Sequence, residues 1–162
     1  MGAPGVGKTS LVRRFVEQRF DGDDDSRIPM AISKGELQLG DVSLEMMLWD
    51  PGDDQASAQY HRSFISGASG LVFVADATKP RTLDHLLEAQ AKGAGFTGSR
   101  PSILLVNKID ERRSFALSKA QLEAANGFTW HLMQASAKSG DNVVQAFTKL
   151  AKLMLETRKA TG

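Results

Sequence analysis

Gly2-Ala3-Pro4-Gly5-Val6-Gly7-Lys8-Thr9 is the stretch on which the reading of this chain turns. It fits G-x-x-x-x-G-K-[ST] without a gap. Glycines let the backbone curl until its N–H groups face one point, and a helix starting directly afterwards adds the positive end of its dipole, so the pattern suits bound phosphate. Lys8 would then reach β- and γ-phosphates, and the Thr9 hydroxyl would bind Mg²⁺. Moving outward, Leu11, Val12, Phe15 and Val16 recur at helical spacing and predict an amphipathic helix over 8–20, beginning where the motif needs one.

The whole chain has 162 residues, 41% of them hydrophobic, with 20 Lys+Arg against 19 Asp+Glu and no Cys. That length predicts a single domain over 1–162. A net charge of +1 gives no electrostatic basis for nucleic acid or an anionic membrane as partner. Without Cys there is no disulfide framework, no Cys-ligated metal and no lipid carried on cysteine. No run reaches the roughly 18 apolar residues of a membrane span. A cytoplasmic protein without a direct membrane anchor is expected.

Further along, 31–39 and 43–49 read as two strands around the Gly40-Asp41 turn, followed by a polar, irregular stretch over 50–66. Leu71-Val72-Phe73-Val74-Ala75 and Ile103-Leu104-Leu105-Val106 are short continuous apolar runs, as in parallel strands buried on both faces. Helical patterns over 82–92, 118–125 and 142–157, with a strand over 130–135, complete an alternation of strands and helices. The expected fold is α/β, a mainly parallel central sheet flanked by helices, with ligand-binding motifs just after the strands.

Two further motifs sit in those places. Asn107-Lys108-Ile109-Asp110 follows the strand ending at Val106, and Ser136-Ala137-Lys138 follows the one ending near Ala135. With the phosphate loop they stand in the order of the Ras/Rab superfamily of small GTPases, and the chain resembles that family over essentially its whole length. The wording around 11–15 and 46–50 is similar to Rab-like proteins of prokaryotes. The resemblance implies a P-loop NTPase fold that binds GTP or GDP with Mg²⁺. Gly2, Pro4, Gly5, Val6, Gly7, Lys8, Thr9 and Ser10 would surround the phosphates, and Phe20 would lie against the base. Asp110 would accept from guanine N1 and its 2-amino group, Lys108 would cover the base, and Asn107 would brace the phosphate loop. The backbone at Ala137 would donate to guanine O6, flanked by Ser136 and Lys138. Asp50 would hold Mg²⁺ through water alongside Thr9.

The switch segments depart from the family. It writes D-x-x-G, commonly followed by a catalytic Gln, where this chain has Asp50-Pro51-Gly52-Asp53-Asp54-Gln55. Family spacing puts Asp53 in the glycine position and Asp54 in the glutamine position, with Gln55 one place late; a local shift would give Gly52 the glycine role. Lys8, Asp54 and Gln55 are the candidate catalytic residues, yet an ionised Asp54 cannot donate to a phosphate oxygen. The family's metal-binding Thr of the first switch is absent, which leaves Ser26 as the nearby hydroxyl, with Arg27 beside it. The resulting expectation is a guanine-nucleotide switch that hydrolyses GTP slowly and meets effectors and regulators through its switch loops. The alternative is a pseudo-GTPase, a nucleotide-stabilised interaction module. An ATP-using P-loop kinase leaves 107–110 and 136–138 unexplained. Because the family's phosphate loop follows a central strand and only Met1 precedes Gly2 here, that first strand is expected to be missing from this chain.

Other signals carry less. Gly93-Ala94-Gly95-Phe96-Thr97-Gly98 spells G-x-G-x-x-G but follows a helix, and Asp21-Gly22-Asp23-Asp24-Asp25 lacks the later positions of a calcium loop. His61, His85 and His131 have no metal-ligand spacing. Arg13-Arg14 and the Lys149, Lys152, Arg158 and Lys159 group read as solvated helix faces.

Overall fold

The computed structural model describes residues 1–20, 31–50, 65–92 and 100–161. In chain order its elements are α1 (Lys8–Glu17), β1 (Ala31–Leu39), β2 (Val42–Asp50), β3 (Leu71–Asp76), α2 (Pro80–Ala91), β4 (Ser102–Asn107), α3 (Lys119–Asn126), β5 (His131–Gln134) and α4 (Val143–Thr161). Strands β3, β4 and β5 form a parallel sheet in that order, and β1 and β2 form a separate antiparallel hairpin. This is the α/β arrangement expected from the apolar runs.

Side chains alternate across the parallel strands and create two cores. Val74, Ile103 and Leu105 face α1 and α4, where Leu11, Phe15, Val143, Phe147 and Leu150 meet the inward side of the hairpin, Leu37, Met46 and Leu48. Phe73, Leu104 and Val106 point the other way, into a core closed by Leu83, Leu117, Ala125 and Trp130. Trp130 donates its indole N–H to the Ala125 carbonyl at 2.8 Å, which lets a large amphipathic ring be buried without an orphaned donor.

Boundaries moved for local reasons. Helix α1 stops at Glu17, short of the expected 20, because Gln18 turns into the left-handed region at φ 55°. Helix α2 starts two residues before the predicted Thr82, with Pro80 at its first turn, where a missing N–H costs nothing. Helix α3 begins behind a capping box: the Ser118 hydroxyl accepts from the Gln121 N–H while the Gln121 side chain accepts from the Ser118 N–H. Helix α4 runs four residues past the expected Thr157, and a 3₁₀ turn at Arg112–Ser114 was not anticipated.

The hairpin is joined to the rest by packing. Phe15 of α1 lies over Gly35 of β1 and stacks on Phe147 of α4, with ring centroids 4.2 Å apart and planes 19° from parallel. A groove of about 570 Å³ runs between β2 and β3, bordered by Met46, Leu48, Val72, Val74, Leu150 and Met154. At one end of it, Met1 makes a parallel rung on β3: its amino group donates to the Val72 carbonyl, and its carbonyl accepts from the Val74 N–H at 2.7 Å. Burial, reinforced by the nearby Lys8 charge, pushes the Met1 amine down to about 5.

A Cβ on Gly35 would come within 2.2 Å of the Phe15 ring. Gly35→Ala is therefore expected to destabilise the fold by about 1–3 kcal/mol, even though alanine suits a strand interior better than glycine. Urea denaturation reads this loss, and the second substitution Phe15→Leu should recover part of it.

Candidate functional site

The predicted site residues within the described parts gather at the carboxyl ends of the parallel strands and of β2. The phosphate-loop residues 2–9 leave the Met1 rung beside β3 and enter α1, where Gly7 caps the helix at φ 93° and its carbonyl accepts from the Leu11 N–H at 3.0 Å. Only glycine fits at that position. Besides the left-handed backbone, an added Cβ would lie 2.3 Å from Asn107 Nδ2. Gly5, at φ 72°, faces open space instead.

Asn107 ties the loops together. Buried at the end of β4, it donates from Nδ2 to the Val6 carbonyl at 2.9 Å and accepts at Oδ1 from the Ala137 N–H at 3.0 Å. The donor that family resemblance assigns to guanine O6 is thus given to Asn107 in this structure. Lys108, at φ 68°, extends its ammonium over the phosphate loop and donates to the Gly5 carbonyl at 2.8 Å. Asp110 accepts from the Ser136 hydroxyl at 2.6 Å and has the Lys138 ammonium 4.0 Å away. The two base-side motifs, 26 residues apart in sequence, are therefore one cluster.

On the phosphate side, Lys8 is buried, and its ammonium donates to the carbonyls of Gly2 and Ala3 at 3.3 and 3.2 Å. The Thr9 hydroxyl donates to Asp50 Oδ2 at 2.5 Å. These two hard oxygen donors stand beside the loop that would carry the phosphates, which fits Mg²⁺: that ion takes one or two protein oxygens and completes its shell with phosphate and water. Phe20 lies just beyond α1, 38% exposed. Ser26, Gly52, Asp54 and Gln55, with Arg27 and Asp53, lie outside the described residues, as do 93–98, 21–25 and His61. His85 and His131 are exposed.

Arg14 and Asp76 take parts in this cluster that the sequence expectation did not give them. Arg14 is not simply part of a solvated face. Its guanidinium donates from Nε to the Ala137 carbonyl at 2.7 Å, from Nη2 to the Lys138 carbonyl at 2.5 Å and from Nη1 to the Gln18 carbonyl at 3.1 Å. A planar fork can satisfy several carbonyls at once, so it ties the end of α1 to the 136–138 loop. Asp76 drew no notice in the sequence, although an acid closing an apolar strand run in an α/β chain is a signal. It is buried at the end of β3 and forms an ion pair with Lys108 at 2.8 Å.

A phosphate loop that enters α1 and is joined through Asn107 to a base-side cluster defines the class as a P-loop nucleotide-binding protein. The model of the Ras family matches residues 1–156, so the chain belongs to the Ras family. It is 32% identical to the human Ras-related protein Rab-7b over 163 aligned residues, spanning 96% of this chain and 80% of that protein. It is 29% identical to the Arabidopsis thaliana Ras-related protein RABC1, spanning 100% of this chain and 78% of the relative. Members of this family are GTP-binding switches that use Mg²⁺ and bind effectors.

Asn107→Ala removes both bonds of a buried side chain and leaves the Val6 carbonyl and the Ala137 N–H without it. The expected loss is about 2–6 kcal/mol of stability, from two orphaned buried groups at about 1–3 kcal/mol each. Denaturant titration with the amide exchange of 5–9 and 136–138 checks it, and exchange should rise in both segments together.

Proposed function

We propose that this chain is a guanine-nucleotide switch with slow intrinsic hydrolysis. The observation that carries the base assignment is the Asp110 carboxylate, 18% exposed and held by Ser136 and Lys138 at the same end of the sheet as the phosphate loop. A fixed carboxylate there would accept from guanine N1–H and the 2-amino group, donors that adenine does not present together. Gly2 to Ser10 would hold the phosphates by the backbone N–H groups of all but Pro4 and by the Lys8 ammonium, and Phe20 would pack on the base. Thr9 and Asp50 would hold Mg²⁺, with Ser26 as a further hydroxyl, and the ion when bound neutralises charge on the β- and γ-phosphates. Lys8 would orient the γ-phosphate for attack by water. Support for a slow rate lies in the sequence: Asp53 and Asp54 put carboxylates where the family has a glycine N–H and a water-orienting amide. Those same departures favour a second reading, a module that binds nucleotide without useful turnover.

Effectors and regulators would meet the switch loops, and the outward side of the hairpin between them would extend that surface. Ile32 and Trp49 face each other on its outward side, next to Met47, and these three are 51%, 51% and 52% exposed. An exposed apolar strip on the element that connects the two switch segments would report their state to a partner.

Asp110→Asn exchanges an acceptor for a group that can donate to the 2-oxo oxygen of xanthine. Equilibrium titration with fluorescent nucleotides should show GTP affinity falling roughly hundredfold or more and preference moving to xanthosine triphosphate. Unchanged GTP affinity would refute the guanine assignment. In single-turnover assays with GTP and Mg²⁺, the expected rate is below about 10⁻⁴ s⁻¹, against roughly 3–5 × 10⁻⁴ s⁻¹ for Ras alone; an ordinary family rate refutes slow turnover. A switch should retain partners differently with GDP and a non-hydrolysable GTP analogue, and Trp49→Ala should abolish that difference. Equal retention with both nucleotides favours the second reading.

A further inference from the structure

Asp76 has its two carboxylate oxygens engaged in different tasks. Oδ1 accepts from the Thr78 N–H at 2.9 Å and from the Thr78 hydroxyl at 2.7 Å, which shapes the turn between β3 and α2. Oδ2 is buried and accepts no hydrogen bond among the described residues, and the Lys108 ammonium lies 2.8 Å from it as an ion pair. That ammonium also donates to the Gly5 carbonyl at 2.8 Å, so one path of charge and hydrogen bond runs from the end of β3 to the crest of the phosphate loop. Burial pushes the Asp76 carboxyl up, and the Lys108 and Thr78 contacts outweigh it, holding the carboxyl below its usual value.

Lys108 has a conformational reason to need an anchor. Its backbone sits at φ 68°, a left-handed conformation that costs a non-glycine residue roughly 1–2 kcal/mol. Such a residue persists where its surroundings over-determine it. The carboxylate holds the far end of the side chain, while Asn107 holds the preceding residue to Val6 and Ala137. Without the carboxylate, the ammonium would keep only the Gly5 carbonyl as a named acceptor, and its long stem would be free to swing towards solvent, since the side chain is already 29% exposed.

We propose that Asp76 is a positioning residue of the nucleotide site, its buried carboxylate fixing the Lys108 ammonium on Gly5 and so setting the shape of the phosphate loop. The proposal rests on the guanine-nucleotide reading above for its consequence in binding. The geometry itself involves only this chain's own atoms. The competing explanation is that Asp76 merely caps its turn through Thr78.

Asp76→Asn separates the two tasks. An asparagine keeps an acceptor oxygen for Thr78 and turns an amide donor towards the Lys108 ammonium, where donor meets donor. The expected result is a rise of about ten- to a hundredfold in the dissociation rate of fluorescent GDP. In a Lys108→Gln background, itself fast-dissociating, Asp76→Asn should add nothing further. An equal added effect in both backgrounds, or none in either, overturns the proposal. Amide exchange of residues 2–9 in nucleotide-free protein reads the same pinning without ligand: faster in Asp76→Asn and no faster again in the double variant supports it, and no change overturns it. Failure of the wild-type chain to bind any guanine nucleotide would sink the functional reading, and the exchange result would still decide the positioning role. Carboxyl ¹³C titration covers the case in which Asp76→Asn does not fold. The Asp76 carboxyl should titrate below the usual range in wild type and move upward in Lys108→Gln; an unmoved titration overturns the proposal.

Discussion

The pair of hydrogen bonds made by Asn107 is the constraint on which the site depends. One buried carboxamide donates to the phosphate loop and accepts from the 136–138 loop, so elements 101 and 30 residues away in sequence share one rigid point. The amide suits this task because it offers a donor and an acceptor in one plane, and burial makes each bond expensive to leave unmade. The absence of a Cβ at Gly7 is the complementary requirement, since the carboxamide occupies the space a side chain would take. The charged contacts lie on the same loops: Asp76 with Lys108, Lys108 with Gly5, Asp110 with Ser136, and Arg14 with the carbonyls at 137 and 138.

The fold was legible where burial is uniform. Leu71 to Ala75 and Ile103 to Val106 are apolar throughout because both faces of the parallel sheet are covered, and their shortness suits a strand better than a helix. Element ends were less legible. The stop at Glu17 depends on Gln18 adopting a left-handed conformation, which nothing in its residue type announces. By contrast, the early start of α2 at Pro80 carried a recognised signal that periodicity alone overlooked.

Site residues divided along a similar line. Those that would touch nucleotide lie in fixed-spacing motifs, because a phosphate or a base demands donors at set intervals along one loop. Arg14 and Asp76 act on other protein groups, and their partners come from elsewhere in the chain: Arg14 reaches across 123 residues to Ala137, and Asp76 meets Lys108. Long-range pairing of this kind fixes no residue spacing, and Asp76 signals itself only as an acid closing an apolar run. Arg14 on an amphipathic helix reads as surface because helical spacing says which face a residue occupies and nothing about the loop that will lie there.

Support for the site comes from two sources. Strands β3, β4 and β5 are laddered together and carry Asp76, Asn107 and the approach to Ser136, so the base-side contacts share one hydrogen-bonded frame. Asp50 instead ends β2, in the hairpin whose inward side chains Leu37, Met46 and Leu48 pack with Phe15 of α1. The Thr9 to Asp50 hydrogen bond therefore ties the first turn of α1 to the hairpin, and the two oxygens suited to a hard cation are supplied by a helix start and a strand end that only tertiary packing brings together.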